Sequence, residues 1–127
     1  MGRVVLDASA LLVLINGETG AAAVAEILED AVVSAVNLSE VVGKLLETGM
    51  PQKEAESTLG ELGLEVYPFD EAAAWSAGVL RSSTKKAGLS LGDRACLALA
   101  RELDLPAVTS DSAWARVSAG VKVRLVR

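Results

Sequence analysis

Short apolar runs alternate with longer amphipathic segments along this 127-residue chain. The short runs are rich in Val, Leu and Ile and predict buried strands at residues 3–6, 32–35, 64–67, 107–109 and 121–126. The longer segments predict helices at residues 8–16, 19–30, 38–48, 51–62, 71–86, 91–103 and 112–117. Strands that alternate with helices favour an α/β fold with a mostly parallel central sheet, flanked by helices on both faces.

One domain accounts for the whole sequence, residues 1–127, which contains no internal repeat, low-complexity tract or linker. Hydrophobic residues make up 51% and aromatic residues only 3%, so we expect an aliphatic core. The segment MGRVVLDASALLVLI resembles a signal peptide, but Asp7 interrupts what would be its apolar part. Because the sequence has no run of about 18 apolar residues, we expect a soluble, cytoplasmic protein that does not enter a membrane.

The composition excludes several kinds of active site. The chain has no histidine, which removes imidazole bases and histidine metal ligands. Cys96 is the only cysteine, so neither an internal disulfide nor a thiolate metal cluster can form. The net charge of -5 provides no broad positive field for nucleic acids, and such a partner would need a local basic patch or a bound metal.

Four acidic residues lie where an apolar run meets a predicted helix, or in the first turn of one. They occur in the strings VVLD, NLSE, LSLGD and TSD and are Asp7, Glu40, Asp93 and Asp111. Two of them, Asp7 and Asp111, lie at the ends of predicted strands. Open α/β sheets bind their ligands beyond the carboxyl ends of their strands. The acids are therefore open to two interpretations, as separate helix caps or as one shared site.

Helix capping accounts for each acid when it is taken alone. Acidic side chains accept hydrogen bonds from the free N–H groups of a first turn, and the helix dipole favours them by about 0.3–1 kcal/mol. A helical wheel also directs Glu40 away from the apolar stripe of its own helix. The expected caps are Asp7 and Asp111 as N-cap residues, and the pairs Asn37–Glu40 and Ser90–Asp93 by their capping-box spacing.

A shared site would require a divalent cation. Carboxylates only a few ångströms apart repel one another, and without a cation some of them would have to take up protons. Magnesium and manganese prefer oxygen ligands of this kind. The four acids thus predict a metal site if the fold brings them together.

Four segments of the chain resemble, in order, the motifs of one family. They are VVLDASALLVLI, VSAVNLSEVVGKL, LSLGDRACLALA and AVTSDSAWARV, and with their spacing they cover essentially the full length. In these segments the chain resembles the PIN-domain ribonucleases, and in particular the VapC-type toxins of bacterial toxin–antitoxin pairs. Each motif alone is weak, whereas four in order form a specific match.

The resemblance implies a single PIN-like domain that acts as a metal-dependent endoribonuclease, the toxin of a type II toxin–antitoxin system. Ser9 and Thr109 would orient water or ligands. Such enzymes cut RNA by in-line attack of metal-activated water and leave 5′-phosphate and 3′-hydroxyl ends. They are typically homodimers, inhibited by a small antitoxin protein whose peptide segment blocks the acidic groove. The residues that would bind one or two Mg²⁺ or Mn²⁺ ions and carry catalysis are Asp7, Glu40, Asp93 and Asp111.

Basic and aromatic residues near the motifs are candidate RNA contacts. Arg94 is expected near the scissile phosphate or, equally, on the helix surface. Trp114 is suited either to stacking on a base or to packing, whereas Trp75 and Cys96 are predicted to lie in the core. A basic patch could follow an RNA backbone, or could only satisfy carbonyls at a helix end; it consists of Arg81, Lys85 and Lys86.

Other acidic magnesium sites match the sequence less well. Haloacid-dehalogenase-like phosphatases need a second Asp two residues after the first, where this chain has Ser9. Response-regulator receiver domains have an Asp at the end of the central strand and an acid pair after the first strand, and this chain has neither. Two alternatives stay open for the same fold, namely a housekeeping nuclease and a PIN-like binding module with little catalysis.

Overall fold

The computed structural model describes residues 2–117 and 119–126 of the chain. Its strands are β1 (Val4–Leu6), β2 (Ala31–Ser34), β3 (Glu65–Tyr67), β4 (Ala107–Thr109) and β5 (Val123–Leu125). The α-helices are α1 (Ala8–Asn16), α2 (Ala21–Ile27), α3 (Ala35–Glu47), α4 (Gln52–Glu61), α5 (Glu71–Val79), α6 (Arg81–Thr84) and α7 (Leu91–Leu103). Short 3-10 helices lie at Leu28–Asp30, Lys85–Ala87 and Ser112–Arg116.

The five strands form one parallel sheet in the order β3-β2-β1-β4-β5. In the middle of the sheet, Val5 of β1 lies between Val32 of β2 and Ala107 of β4. The chain adds β2 and β3 on one side of β1 and then returns to place β4 on the other side. The predicted α/β fold with a parallel central sheet is confirmed.

Alternate residues of β1 enter two separate cores, because successive side chains of a strand point to opposite faces of the sheet. Val5 lies in a cluster with Cys96 of α7 and Trp114, which also contains side chains of α5. Leu6 lies in a cluster on the other face with Val41 of α3 and side chains from α1, α2 and α4. Helices therefore cover both faces of the sheet, as predicted.

Capping residues place three helices close to their predicted positions. Helix α1 spans the predicted residues, with Asp7 as its N-cap and Gly17 in the left-handed conformation (φ 64°) as its C-cap. Helix α7 also has its predicted bounds, and Ser90 and Asp93 form the predicted capping box. Helix α4 starts directly after Pro51. These signals are local, so they can be recognised in the sequence.

Helix α3 begins at Ala35, before its predicted start at residue 38. Ser34, the last residue of β2, is the N-cap, and its hydroxyl accepts a hydrogen bond of 3.2 Å from Val36 N. The prediction of a capping box formed by Asn37 and Glu40 is therefore wrong, because both residues lie inside the helix.

Other predicted elements are shorter or divided. The predicted helix over residues 71–86 consists of α5, α6 and a 3-10 helix. At the break, the hydroxyls of Ser83 and Thr84 donate to the carbonyl of Leu80 at 3.2 and 2.8 Å. Side-chain bonds of this kind compete with the helical backbone. The predicted helix over residues 19–30 becomes α2 and a 3-10 helix, and the last strand is confined to β5.

The two tryptophans have opposite environments. Trp75 is 70% exposed, so its predicted core position is wrong; α5 turns the small side chain of Ala77 towards the core instead. Trp114 is fully buried, which confirms packing and excludes stacking on a base in this conformation. Cys96 is buried as predicted.

Within the described residues, no single helix combines the length and the apolar character needed to cross a membrane. Only the pair Ala8–Asn16 and Ala21–Asp30, bent by 111°, meets those criteria, and only when its two members are counted together.

Candidate active site

The order of the strands points to one edge of the sheet. The chain switches from one side of β1 to the other when it forms β4, and ligands of open α/β sheets bind at the carboxyl ends of the strands at such a switch point. Asp7 directly follows β1, and Thr109 is the last residue of β4. Asp7 N donates a backbone hydrogen bond of 3.1 Å to Val108 O, which joins the two strand ends.

Asp7 is 3% exposed, and its carboxylate accepts hydrogen bonds from three groups. Thr109 Oγ1 donates to Oδ2 at 2.6 Å, and Ser9 Oγ lies 2.8 Å from Oδ1 and 2.9 Å from Oδ2. Ala10 N donates to Oδ1 at 2.8 Å, which is the N-cap bond of α1. Asp7 is thus both a helix cap and a buried anion, so the two interpretations of this acid are compatible.

Ser9 and Thr109 connect the loops on the two sides of the switch point. Ser110 N donates to Ser9 Oγ and Asp111 N donates to Thr109 Oγ1, each at 3.0 Å. The two hydroxyl oxygens are 3.1 Å apart. Because each hydroxyl oxygen accepts a backbone N–H, its own hydrogen is available for Asp7. Both residues therefore fix the orientation of the Asp7 carboxylate.

Burial raises the pKa of Asp7 from its ordinary 3.8 to about 6. Hydrogen bonds from Thr109, Ala10 and Ser9 lower this pKa, and the charge of Asp93 raises it. No lysine or arginine forms a salt bridge with Asp7 in the part of the chain that the structure describes. The site thus contains a buried carboxylate without a cation to balance it.

Glu40 of α3 is held against the first turn of α7. Asn37 Nδ2 donates to Glu40 Oε1 and to the carbonyl of Gly92, both at 3.0 Å. A Cβ atom added to Gly92 would overlap the Glu40 carboxylate, so only glycine allows this approach. Asn37 is 1% exposed, and its Oδ1 is buried without a partner among the described residues. The contact places the Glu40 carboxylate against Gly92, the residue that precedes Asp93, in spite of the exposed position of Glu40 on the helical wheel.

Three of the predicted acids influence the buried thiol of Cys96. Burial raises the pKa of the Cys96 thiol well above its ordinary value, and the charges of Asp7, Asp93 and Glu40 raise it further. These carboxylates come from the end of β1, from α7 and from α3. The charges of three of the four predicted acids, which come from three separate elements, therefore act on one buried residue.

Asp93 and Asp111 also serve as helix caps. Asp93 Oδ2 accepts from Ser90 N at 2.9 Å, while Ser90 Oγ accepts from Asp93 N at 3.2 Å. Asp111 is exposed, and its Oδ1 accepts from Ala113 N at 2.9 Å at the start of a 3-10 helix. Its backbone is joined to Asp7 through Thr109, which places the Asp111 loop at the same edge.

The donor set suits a hard divalent cation, because it consists of carboxylate and hydroxyl oxygens and includes a buried anion without a counter-charge. Among residues 2–117 and 119–126, however, no three His, Cys, Asp or Glu side chains are arranged to hold one ion together. The four acids lie at one edge of the sheet, but their carboxylates do not converge on a single point.

The candidate RNA-binding cations lie in two environments. Arg94 Nη1 donates to the carbonyl of Ala77 in α5 at 3.0 Å, and its buried Nε has no partner among the described residues. This bond links α7 to α5. The patch on α6 and the adjoining 3-10 helix is exposed to solvent and consists of Arg81, Lys85 and Lys86.

Sequence reasoning did not identify Asn37 and Gly92 as part of the site. A signal for Asn37 was present, because this polar residue has the helical spacing of the buried Val41 and Leu45 and so lies on the apolar face of α3. No comparable signal marks Gly92, because glycine is required there only by the contact with Glu40.

Several solved structures have a similar fold. DNA-bound VapBC from Salmonella typhimurium is 19% identical, with a TM-score of 0.77 and coverage of 100% of both chains. VapBC2 from Rickettsia felis, bound to a promoter DNA fragment, is 17% identical, with a TM-score of 0.76 and coverage of 96% of this chain and 97% of that chain. VapC20 from Mycobacterium tuberculosis, a Sarcin-Ricin loop cleaving toxin, is 14% identical, with a TM-score of 0.73 and coverage of 92% and 98%.

No curated protein sequence matches the chain significantly. The sequence model of the PIN domain matches residues 4–120, a span that begins at β1 and includes all four acids. Because this match covers most of the chain, the chain belongs to the PIN domain family.

Proposed function

We propose that this protein is a divalent-cation-dependent endoribonuclease that acts in the cytoplasm as the toxin of a type II toxin–antitoxin pair. The observation that carries the proposal is the buried Asp7 carboxylate at the switch point, whose pKa is raised further by the charge of Asp93. Membership of the PIN family supports nuclease chemistry. The fold similarity to VapBC proteins supports the role as a toxin.

Asp7 and Asp111 are the proposed direct ligands, because both follow strands at the functional edge of the sheet. Glu40 and Asp93 would act directly or through bound water. Bound there, Mg²⁺ or Mn²⁺, as one ion or two, would lower the pKa of a coordinated water and stabilise the attacking and leaving oxygens of the phosphodiester.

Other side chains of the protein would hold the catalytic carboxylates in position. Ser9 and Thr109 hold the Asp7 carboxylate in one position by hydrogen bonds of 2.6–2.9 Å. Asn37 fixes Glu40 against Gly92 in the same way. Because the chain has no histidine, carboxylates are the acidic groups available at this edge for proton transfer at neutral pH.

A pair of matched variants tests the activity. Asp7 and Asp70 are both N-cap residues whose Oδ1 accepts from a backbone N–H, at 2.8 Å from Ala10 and 2.9 Å from Ala73, but Asp70 is exposed on α5. We expect the purified protein to cleave single-stranded RNA with Mg²⁺ or Mn²⁺ and to stop when a chelator is added. Asp7→Asn should reduce the rate by at least about 100-fold, and Asp70→Asn should leave it unchanged.

Equal cleavage by the wild type and Asp7→Asn would show that the activity is a contaminant. No cleavage of any RNA by the wild type would favour a binding module. The toxin role is tested separately by induced expression in bacteria. Growth should stop with the wild type, continue with Asp7→Asn, and recover when a small antitoxin encoded beside the gene is expressed with it. Cleavage without growth arrest would indicate a housekeeping nuclease.

The proposed enzyme is a homodimer, and α5 offers the most exposed apolar surface for the contact. Trp75 is 70% and Val79 64% exposed on its outer face. Ala74 and Gly78 lie beside them and leave room for the close approach of a second helix. A helix that is apolar on its outer as well as its inner side is typical of a buried element.

A further inference from the structure

The charges of the chain are divided unevenly along the sequence. Residues 1–80 contain 13 acidic residues and three lysines or arginines, whereas residues 81–127 contain four acidic residues and nine lysines or arginines. The net charge of -5 therefore conceals an acidic part and a basic part. A polyanion is repelled by the first part and attracted by the second.

The basic part contains a surface that adjoins the candidate active site. The 3-10 helix Lys85–Ala87 packs against the 3-10 helix Ser112–Arg116, and the exposed cations on these helices and on α6 form what we call the basic shoulder. No salt bridge neutralises any of them within the described part of the chain. The basic shoulder consists of Arg81, Lys85, Lys86 and Arg116.

Both 3-10 helices of the basic shoulder adjoin an acid of the site in the sequence. The 3-10 helix Lys85–Ala87 ends at Gly88 and is followed by Ser90, the N-cap residue whose partner is Asp93. The other 3-10 helix has Asp111 as its N-cap. The opposite flank, built from α2, α3 and α4, is acidic and has two lysines, one of which is 3.9 Å from a carboxylate of its own helix.

We propose that the basic shoulder binds the RNA phosphates on one side of the scissile bond, so that the substrate strand enters the site from the α6 side and not across α2–α4. This inference rests on the proposed nuclease function. It adds the side from which the RNA strand enters the site and a minimum length of the RNA. Substrates that extend over the basic shoulder should bind more tightly than substrates confined to the acidic edge.

The test compares two variants with the same change in net charge. Lys85→Gln/Lys86→Gln removes two charges from the basic shoulder, and Lys44→Gln/Lys53→Gln removes two from the acidic flank. Each phosphate contact with a single strand contributes about 0.7 to the slope of log affinity against log salt, so the first variant should lower the slope by about 1.4. At 0.1 M salt its KM for a 20-nucleotide RNA should rise about tenfold.

The same variant should keep its kcat, and its cleavage of a trinucleotide should match that of the wild type. The variant of the acidic flank should resemble the wild type throughout. Equal effects of the two variants would show that only net charge matters, and no effect of either would remove the basic shoulder from the RNA path. Loss of antitoxin binding with unchanged RNA kinetics would assign the surface to a protein partner. Each of these three results would overturn the proposal.

Binding of a fluorescent 20-nucleotide RNA, measured by anisotropy in the presence of a chelator, separates this inference from the proposed function. If the wild type cleaves no RNA, the nuclease proposal fails. A salt slope that is still lowered by Lys85→Gln/Lys86→Gln would then support the basic shoulder as a binding surface. An unchanged slope would overturn both proposals.

Discussion

Replacing Asp7 by Asn should stabilise the metal-free protein at neutral pH, although it is expected to abolish catalysis. The pKa of Asp7 rises from 3.8 to about 6 on folding, chiefly because the carboxylate is buried. At about 1.36 kcal/mol per pKa unit, ionised Asp7 lowers the free energy of unfolding by ~3 kcal/mol at pH 7. Asn cannot ionise, so this loss disappears in the variant.

The sign of the pH dependence follows from proton binding. Between pH 3.8 and about 6 the folded state holds the Asp7 proton more firmly than the unfolded state does. The contribution of Asp7 to stability is therefore fully present below pH 4, falls as the pH rises through 6 and stays low above it. The neutral Asn amide makes weaker hydrogen bonds to Thr109, Ser9 and Ala10, which reduces the expected gain in the free energy of unfolding by about 1 kcal/mol. The net gain expected at pH 7.5 is about 1–3 kcal/mol.

Urea unfolding with a chelator present, followed by tryptophan fluorescence between pH 4 and 8, measures this difference. Asp70→Asn is the control, because it changes an exposed N-cap carboxylate that makes the same kind of hydrogen bond. Added Mg²⁺ should raise the stability of the wild type and not that of Asp7→Asn. If Asp7→Asn is less stable than the wild type at pH 7.5 without metal, or if their difference does not change between pH 4 and 7, the account of Asp7 as an uncompensated buried anion is refuted.

Three further substitutions test other parts of the structure. Gly92→Ala should displace the exposed Glu40 carboxylate and raise the Mg²⁺ concentration needed for cleavage, with little change of stability in chemical denaturation, because its Cβ would meet only the end of a flexible side chain. Gly43→Ala, in an open position on α3, should leave the Mg²⁺ requirement unchanged. Ser90→Ala removes the capping box of α7 and should cost about 1 kcal/mol of stability in chemical denaturation; an unchanged stability would show that the cap is not needed. Trp75→Lys should leave the fold intact and convert the proposed dimer into a monomer in light scattering, and a persistent dimer would place the interface elsewhere.

Short-range signals made much of the fold predictable. The bounds of α1 and α7 agree with the prediction because Gly17 and Ser90 mark them by local chemistry. At the division of the predicted helix, the hydroxyls of Ser83 and Thr84 share the carbonyl of Leu80 with the backbone N–H of Thr84, and the hydrophobic pattern contains no sign of this arrangement. Hydrophobic pattern alone also placed Trp75 in the core, since it cannot show which side of an alanine-rich helix faces the sheet.

The candidate site was predictable to the extent that its residues follow strands. Asp7 and Asp111 have that position in the sequence, and the strand order brings their loops together. Glu40 could not be placed from its helix, because its environment is set by Asn37 and Gly92 across an interface between α3 and α7. A pairing between two helices leaves no periodic trace in either one, and for Glu40 the family resemblance supplied what the pattern did not.

The hydrogen bond between Thr109 and Asp7 joins residues 102 positions apart, and this separation governs when the site can exist during protein synthesis. At about 5–20 residues per second, the ribosome adds Thr109 roughly 5–20 seconds after Asp7. Until β4 emerges and docks beside β1, the nascent chain has Asp7 without the hydroxyl and the loop that complete its surroundings. A growing or prematurely terminated chain therefore lacks the assembled surroundings of Asp7, which are complete only after nearly the whole chain has been made.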